Sequence, residues 1–137
     1  MPGVAWSRRS TSTFTSWQED PAYGEDAPLP RLASAQVAFS YAGALNGSSN
    51  CIYAMAYAAD GSGTSLGYET ITGELDGRTG SFVVHHTDQF TTSGVSAQFE
   101  VIAGSGTDQL SGISGRGSYQ VGHGTSEWTW TFDYELG

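Results

Sequence analysis

Residues 45–84 read LNGSSNCIYAMAYAADGSGTSLGYETITGELDGRTGSFVV. No window in this stretch repeats apolar residues every 3.6 positions. Alternation of period two runs through it instead, broken at Asn46-Gly47, Asp60-Gly61 and Asp76-Gly77, the pattern of half-buried strands joined by tight turns. Loop length sets hairpin register, so each turn dictates which residues face each other. Asn46-Gly47 is the strongest hairpin signal, because both central residues of a type I′ turn need positive φ. It pairs Leu45 with Ser48, so Val37 faces Ala56, Phe39 faces Ala54 and Tyr41 faces Ile52. The turn Asp60 to Gly63 pairs Ala59 with Thr64 and sets Ala54 beside Glu69. The turn Asp76 to Thr79 pairs Leu75 with Gly80, which places Glu69 opposite His86 and Ile71 opposite Val84.

Working outward, the chain divides into eight strands, at about 11–17, 31–45, 48–59, 64–75, 80–90, 95–103, 115–121 and 126–134. The turn Thr91 to Gly94 pairs Phe90 with Val95, so His86 faces Phe99. A loop from Gly122 to Thr125 sets Gly115, Gly117 and Tyr119 opposite Phe132, Trp130 and Trp128; His123 in that loop faces solvent. Four turns agree on one apolar face: Val37, Phe39, Tyr41, Ile52, Ala54, Ala56, Ile71, Phe82, Val84, Val95, Ala97, Phe99 and Val101. A one-residue slip would turn a strand's apolar set to water. Strand 48–59 fits less well, because its other side carries Cys51, Tyr53, Met55 and Tyr57. Either the register there is off by one, or Tyr53, Met55 and Tyr57 meet a second copy in a homo-oligomer.

The fold expected is all-β: a single eight-stranded antiparallel up-and-down β-barrel, lipocalin-like in outline, closed because closure removes exposed edges. A two-sheet sandwich is the alternative. Residues 1–137 form one domain, with 1–10 as a flexible lead. Residues 18–30 form a loop at the mouth shared with turns 60–63, 91–94 and 122–125, either a lid or a mobile surface loop.

Nineteen glycines and only 14% charged residues suit many turns rather than helices, and six Phe, seven Tyr and four Trp supply the core. Five Arg, no Lys and 14 acids give a net charge of −9, which repels phosphate backbones and argues against nucleic acid as a partner. No apolar run approaches the roughly 20 residues of a bilayer span. Arg8 and Arg9 are not followed by the apolar stretch of a signal peptide, and the lone Cys51 has no disulfide partner, so the expected compartment is cytoplasmic.

Opposed residues on antiparallel strands have Cβ atoms about 4.5–5.5 Å apart, close enough for Glu69 and His86 to hydrogen-bond inside an apolar lumen. As a catalytic pair, the glutamate would orient an imidazole that moves a proton near neutral pH. As a structural pair, the two would only satisfy each other and fix register. Asp88 shares the inward face with His86, nearer the mouth, as a ligand contact or a solvated rim carboxylate. Phe39, Tyr41, Ala54, Phe99, Trp17, Trp128 and Trp130 are the other candidate ligand-binding residues, the tryptophans as stacking platforms or plain core. His85 and His86 point to opposite faces, which argues against a shared metal. No phosphate loop, dinucleotide fingerprint or nucleophile elbow appears, so neither metal nor organic cofactor is expected. Cys51, outward in this register, is a poor nucleophile.

Several segments together resemble one known family: Ser16-Trp17 before an acidic loop, Met55-Ala56-Tyr57 with Asp60-Gly61, and Leu75-Asp76-Gly77-Arg78 with Gly80-Ser81-Phe82-Val83. So do His86, Gly104-Ser105-Gly106-Thr107, Leu110 to Gly117 and Asp133-Tyr134. The chain resembles, over nearly its whole length beyond about residue 10, an uncharacterised bacterial family of single small domains of unknown function. That family is similar to the allene oxide cyclase barrels and, more distantly, to plant dirigent proteins. The resemblance implies an eight-stranded barrel with an apolar cavity, often in oligomers, and supplies no reaction, because one fold hosts many tasks. His85 and Asp88 depart from the residues expected at those positions.

Three functions follow as expectations. The first is a cofactor-independent enzyme of cyclase, isomerase or lyase type, acting on a hydrophobic metabolite with Glu69 and His86 as its acid–base pair. The second is a non-catalytic binding or carrier protein for a hydrophobic small molecule. The third is a structural module with a filled lumen.

Overall fold

Alternating residues build long strands here, and the computed structural model describes residues 6–22, 28–122 and 127–136. Eight strands follow in order: β1 (Trp6–Asp20), β2 (Arg31–Gly43), β3 (Leu45–Tyr57), β4 (Gly63–Leu75), β5 (Arg78–Thr91), β6 (Gly94–Val101), β7 (Ile113–Gly122) and β8 (Glu127–Leu136). Each pairs antiparallel with the next, and β1 pairs with β8, so the sheet closes into a barrel. The expected up-and-down barrel is therefore the fold, and the sandwich is excluded.

Residues 6–10, expected to precede the barrel, are part of β1 and pair with β8 from Trp6↔Tyr134 to Ser10↔Trp130. Of the mouth loop 18–30, residues 18–20 extend β1, and residues 23–27 lie outside the described residues, as do 1–5 and His123. No helix among the described residues is long and apolar enough to cross a membrane.

The expected register holds between β5 and β6, the β4–β5 and β7–β8 pairings are shifted but keep the expected faces, and β3 is reversed. Between β5 and β6, Phe90 faces Val95 and His86 faces Phe99, as the turn chemistry dictates. Between β4 and β5 the pairing slides by an even number of residues: Glu69 faces Val84 and His86 faces Gly67. An even slide keeps every side chain on its face. The same holds between β7 and β8, where Gly117 faces Phe132 and Tyr119 faces Trp130.

Strand β3 is different. Tyr41 pairs with Gly47 and Val37 with Cys51, an odd shift from the Asn46-Gly47 hairpin, and an odd shift flips the strand. The reversal sits earlier, at Gly43 (φ 124°). The Asn46 side chain stabilises it by donating to the Gly43 carbonyl at 2.8 Å and accepting from the Gly43 amide at 3.3 Å. Gly47 lies within β3 opposite Gly73, where a Cβ would stand 2.3 Å from the Thr72 carbonyl oxygen. That glycine serves close strand approach rather than a turn.

As a result Cys51, Tyr53 and Met55 are buried in the lumen, and Ile52, Ala54 and Ala56 face out. The stripe expected to reach a second copy points inward, so Tyr53 and Met55 are not available to one. The β3–β4 turn errs by an odd number too, with Tyr57 facing Gly63, and the two errors cancel at β4.

Much of the lumen is filled. Phe99 stacks on Trp130 with centroids 4.1 Å apart, Phe82 on Phe132 at 5.8 Å, and Phe132 on Tyr134 at 5.4 Å. The β6–β7 connection folds back on β5, where the Thr107 amide donates to the Ser81 carbonyl and Leu110 joins the core. That aromatic column occupies the half of the barrel away from the β1–β2, β3–β4 and β5–β6 connections.

The β3 register has two consequences in solution. Ile52→Asp, on a residue 63% exposed, should change unfolding stability by no more than about 0.5 kcal/mol. Tyr53→Asp should cost about 3 kcal/mol or more, since it buries an unpaired carboxylate and removes an aromatic ring. Urea denaturation of the two variants decides, and the reverse ranking would restore the Asn46-Gly47 hairpin.

Candidate functional site

Inward positions of β2, β3, β4, β5 and β7 carry polar groups between the aromatic column and the mouth. Glu69 on β4 has no exposure to water and His86 on β5 has 1%. They stand diagonally across the β4–β5 ladder rather than directly opposed, and still bond: His86 Nε2 lies 2.6 Å from Glu69 Oε1. Gly67, which faces His86, leaves space there for the Tyr53 ring, since a Cβ would meet Tyr53 Cδ1 at 2.8 Å. Tyr53 in turn meets the imidazole edge to face, with centroids 5.8 Å apart.

The other Glu69 oxygen accepts hydrogen bonds from the Tyr41 and Ser49 hydroxyls. On the far side of the imidazole, Nδ1 lies 3.0 Å from the Tyr119 hydroxyl and 3.6 Å from Asp88 Oδ1. Tyr119 donates to Asp88 Oδ1 at 2.8 Å, and Ser65 donates to Asp88 Oδ2 at 2.9 Å. A hydrogen-bonded chain thus runs Glu69–His86–Tyr119–Asp88.

The chain has a polarity. Tyr119 gives its hydrogen to Asp88, so its oxygen accepts from His86 Nδ1–H, and one further proton is held between His86 Nε2 and Glu69 Oε1. Burial by itself would lower the imidazole's affinity for that proton. Hydrogen bonds and charge from Asp88 and Glu69 overcome burial and push the His86 pKa up to about 9. Burial raises Tyr41 and Tyr119 well above the usual phenol range, so both remain hydrogen donors at neutral pH.

Cys51, Glu69 and His86 bring one possible metal-ligand atom each within 4.8 Å of one another. Burial pushes the Cys51 thiol far above its ordinary range, and thiols bind metals as thiolates. A cation there would also have to displace the proton between Glu69 and His86. The chemistry of the trio is that of a proton-holding pair beside an apolar thiol. The same burial shields Cys51 as a nucleophile, although it faces in rather than out.

Above this layer the mouth half of the lumen holds a cavity of about 210 Å³, walled by Trp17, Tyr53, Met55, Tyr57, Phe90, Val95 and Trp128 and floored by Ser65, Asp88 and Tyr119. Trp17 is 39% exposed at the rim. Beside the rim, Tyr57 donates to Glu19 at 2.8 Å, and Arg31 bonds Glu19 at 3.4 Å and covers the Tyr57 ring.

Of the residues expected to meet a ligand, Trp17, Trp128 and Asp88 line this cavity. Phe39, Tyr41, Phe99 and Trp130 belong to the filled part: Phe39 packs on Trp128, Tyr41 on Trp130, and Phe99 on Trp130. Ala54 lies on the outer surface, paired with Ser34 and Leu66, because β3 is flipped. Tyr53, Met55, Tyr57, Ser65, Phe90 and Val95 were not singled out as ligand contacts. The signal for the first three was present, as a stripe too apolar for the face assigned to it.

A histidine whose folded value lies above the unfolded one of about 6.5 stabilises the fold fully below that pH and loses the contribution as pH rises through about 9. Urea stability should therefore fall between pH 6.5 and 9, beyond any fall in Glu69→Gln. That variant should cost about 3 kcal/mol at pH 6 and bring the His86 NMR titration down. A titration unmoved by Glu69→Gln in a folded variant would remove Glu69 as the holder of the proton.

In sequence, the model of a protein family of unknown function, DUF3224, matches residues 9–134. No curated protein matches the chain. Among solved structures, a protein of unknown function from the DUF3224 family of Shewanella oneidensis MR-1 is 21% identical and superposes with a TM-score of 0.75 over 98% of each chain, which shows the shared fold. The family match covers nearly the whole barrel and all four members of the buried polar chain, and this protein belongs to the DUF3224 family.

Proposed function

We propose that this barrel binds a small, largely apolar molecule in its mouth cavity. The observation that carries this reading is the cavity itself: aromatic walls, an opening at the rim and a few convergent polar groups on its floor, the usual make-up of a small-molecule site. At about 210 Å³ it exceeds the roughly 150 Å³ apolar cavity that takes up benzene. The occupant is thus of one-ring size, and the filled half of the lumen limits it from below.

A cofactor-independent enzyme of cyclase, isomerase or lyase type is the second reading. The Glu69–His86–Tyr119–Asp88 chain favours it, because its outer end is in the cavity and its inner end holds a proton. In this reading Asp88 and Tyr119 touch the substrate, while His86 and Glu69 act through them as positioning residues rather than as the contacting acid–base pair. Asp88 would take a proton from the bound molecule, and Tyr119 would hold the carboxylate in place. The resemblance to allene oxide cyclase and dirigent barrels supports such chemistry by analogy. A non-catalytic carrier would use the same walls without the chain.

Nitrogen-15 NMR with benzyl alcohol and with indole as probes tests the site. Saturable shifts are expected at the Trp17 and Trp128 indole N–H signals, with Trp130 little affected. No saturable shift at either wall tryptophan would overturn the cavity as a binding site. For any molecule found to turn over, Asp88→Asn and Tyr119→Phe should each lower kcat by about 100-fold or more, and unchanged kcat would leave the carrier.

A further inference from the structure

The floor of the cavity has a chemical bias that apolar walls alone do not impose. The Ser65 hydroxyl hydrogen is given to Asp88 Oδ2 and that of Tyr119 to Asp88 Oδ1. Tyr119 having spent its hydrogen, the 3.4 Å contact with Tyr53 is made by the Tyr53 hydroxyl donating. Every hydroxyl hydrogen on the floor is thus committed, and lone pairs are what remain for a ligand. A carboxylate has capacity for about four hydrogen bonds, and Asp88 also keeps places open.

Charge points the same way. The buried cluster holds two carboxyl groups, Glu69 and Asp88, against one imidazole, His86, already engaged by Glu69 and Tyr119. An occupant bearing one positive charge would balance the excess acid. The rim cation Arg31 is bound to Glu19 and does not line the cavity. The walls add aromatic faces from Trp17, Tyr53, Tyr57 and Trp128, which attract cations through the ring quadrupole. The net charge of −9 for the whole chain favours approach of such a molecule.

We infer that the occupant of the mouth cavity is an organic amine, bound as its ammonium ion with the N–H groups on Asp88, Ser65 and Tyr53 and a flat apolar body against the tryptophans. This rests on the cavity being the binding site. A neutral donor-poor molecule would leave Asp88 buried with unused acceptor capacity, and an anion would face it directly.

Binding of benzylamine, benzyl alcohol and phenylacetate to the intact chain at neutral pH and 150 mM salt, read by tryptophan fluorescence or NMR, tests the inference. Benzylamine is expected to bind at least tenfold more tightly than benzyl alcohol, with phenylacetate weakest. In Asp88→Asn that preference should collapse to near unity. A wild-type ratio below tenfold overturns the amine assignment and leaves the cavity standing. Failure of benzylamine and benzyl alcohol alike to bind overturns the amine and the cavity together. A preference that survives Asp88→Asn assigns it to the general surface charge and also overturns the inference. Should Asp88→Asn fail to fold, Ser65→Ala decides: a severalfold lower ratio is expected, and an unchanged ratio overturns the inference.

Discussion

A carboxyl group with no access to water must be satisfied by its neighbours or held neutral, and Glu69 meets this constraint with partners from three other strands. Tyr41 comes from β2, Ser49 from β3 and His86 from β5. Through His86 the demand passes to Tyr119 on β7 and then to Asp88, which Ser65 supports. Burying one acid thus fixes the inward face of five strands at one level of the barrel. Removing any partner would leave a neighbour unsatisfied in a low-dielectric interior, where that is most costly.

The polar layer also divides the lumen. Away from the mouth, rings from β5, β6 and β8 stack until little space remains, and Leu110 packs beneath β5. Toward the mouth the same inward positions carry Met55, Tyr57, Phe90 and Val95, which line a cavity instead of filling it. The chain is therefore neither an empty container nor a wholly filled module. Its packed half supplies stability through apolar burial, and its open half keeps a cavity over a floor whose hydrogen bonds are already arranged.

The sequence made the architecture legible because alternation of period two survives register errors of even size. The sliding of β4 against β5 moved Glu69 from opposite His86 to a diagonal, and both still point inward. Strand β3 was misread because Asn46-Gly47 satisfies the chemistry of a two-residue turn while also suiting a close strand crossing against Gly73. The competing evidence lay in Cys51, Tyr53, Met55 and Tyr57, whose burial outweighs any local turn preference, since tertiary packing decides between locally plausible pairings. Ala54 was consequently placed inside, and three lining residues were placed outside.

Asp88 and Tyr119 line the mouth cavity while Glu69 and His86 do not, and the reason is again packing that strand alternation does not encode. Alternation says which residues face inward but not how full the lumen is at each level, because filling depends on how far rings from non-adjacent strands reach. Tyr53 crosses from β3 to the His86 edge and contacts Tyr119 on β7, covering the imidazole in a way no pairwise register reveals. The Glu69–His86 pair is thereby placed behind the lining of the cavity. From there it reaches the cavity only through hydrogen bonds, which fix the direction in which Tyr119 and Asp88 present their lone pairs. Under the proposed function such a floor is organised before any ligand arrives, which would spare the ligand the cost of ordering it.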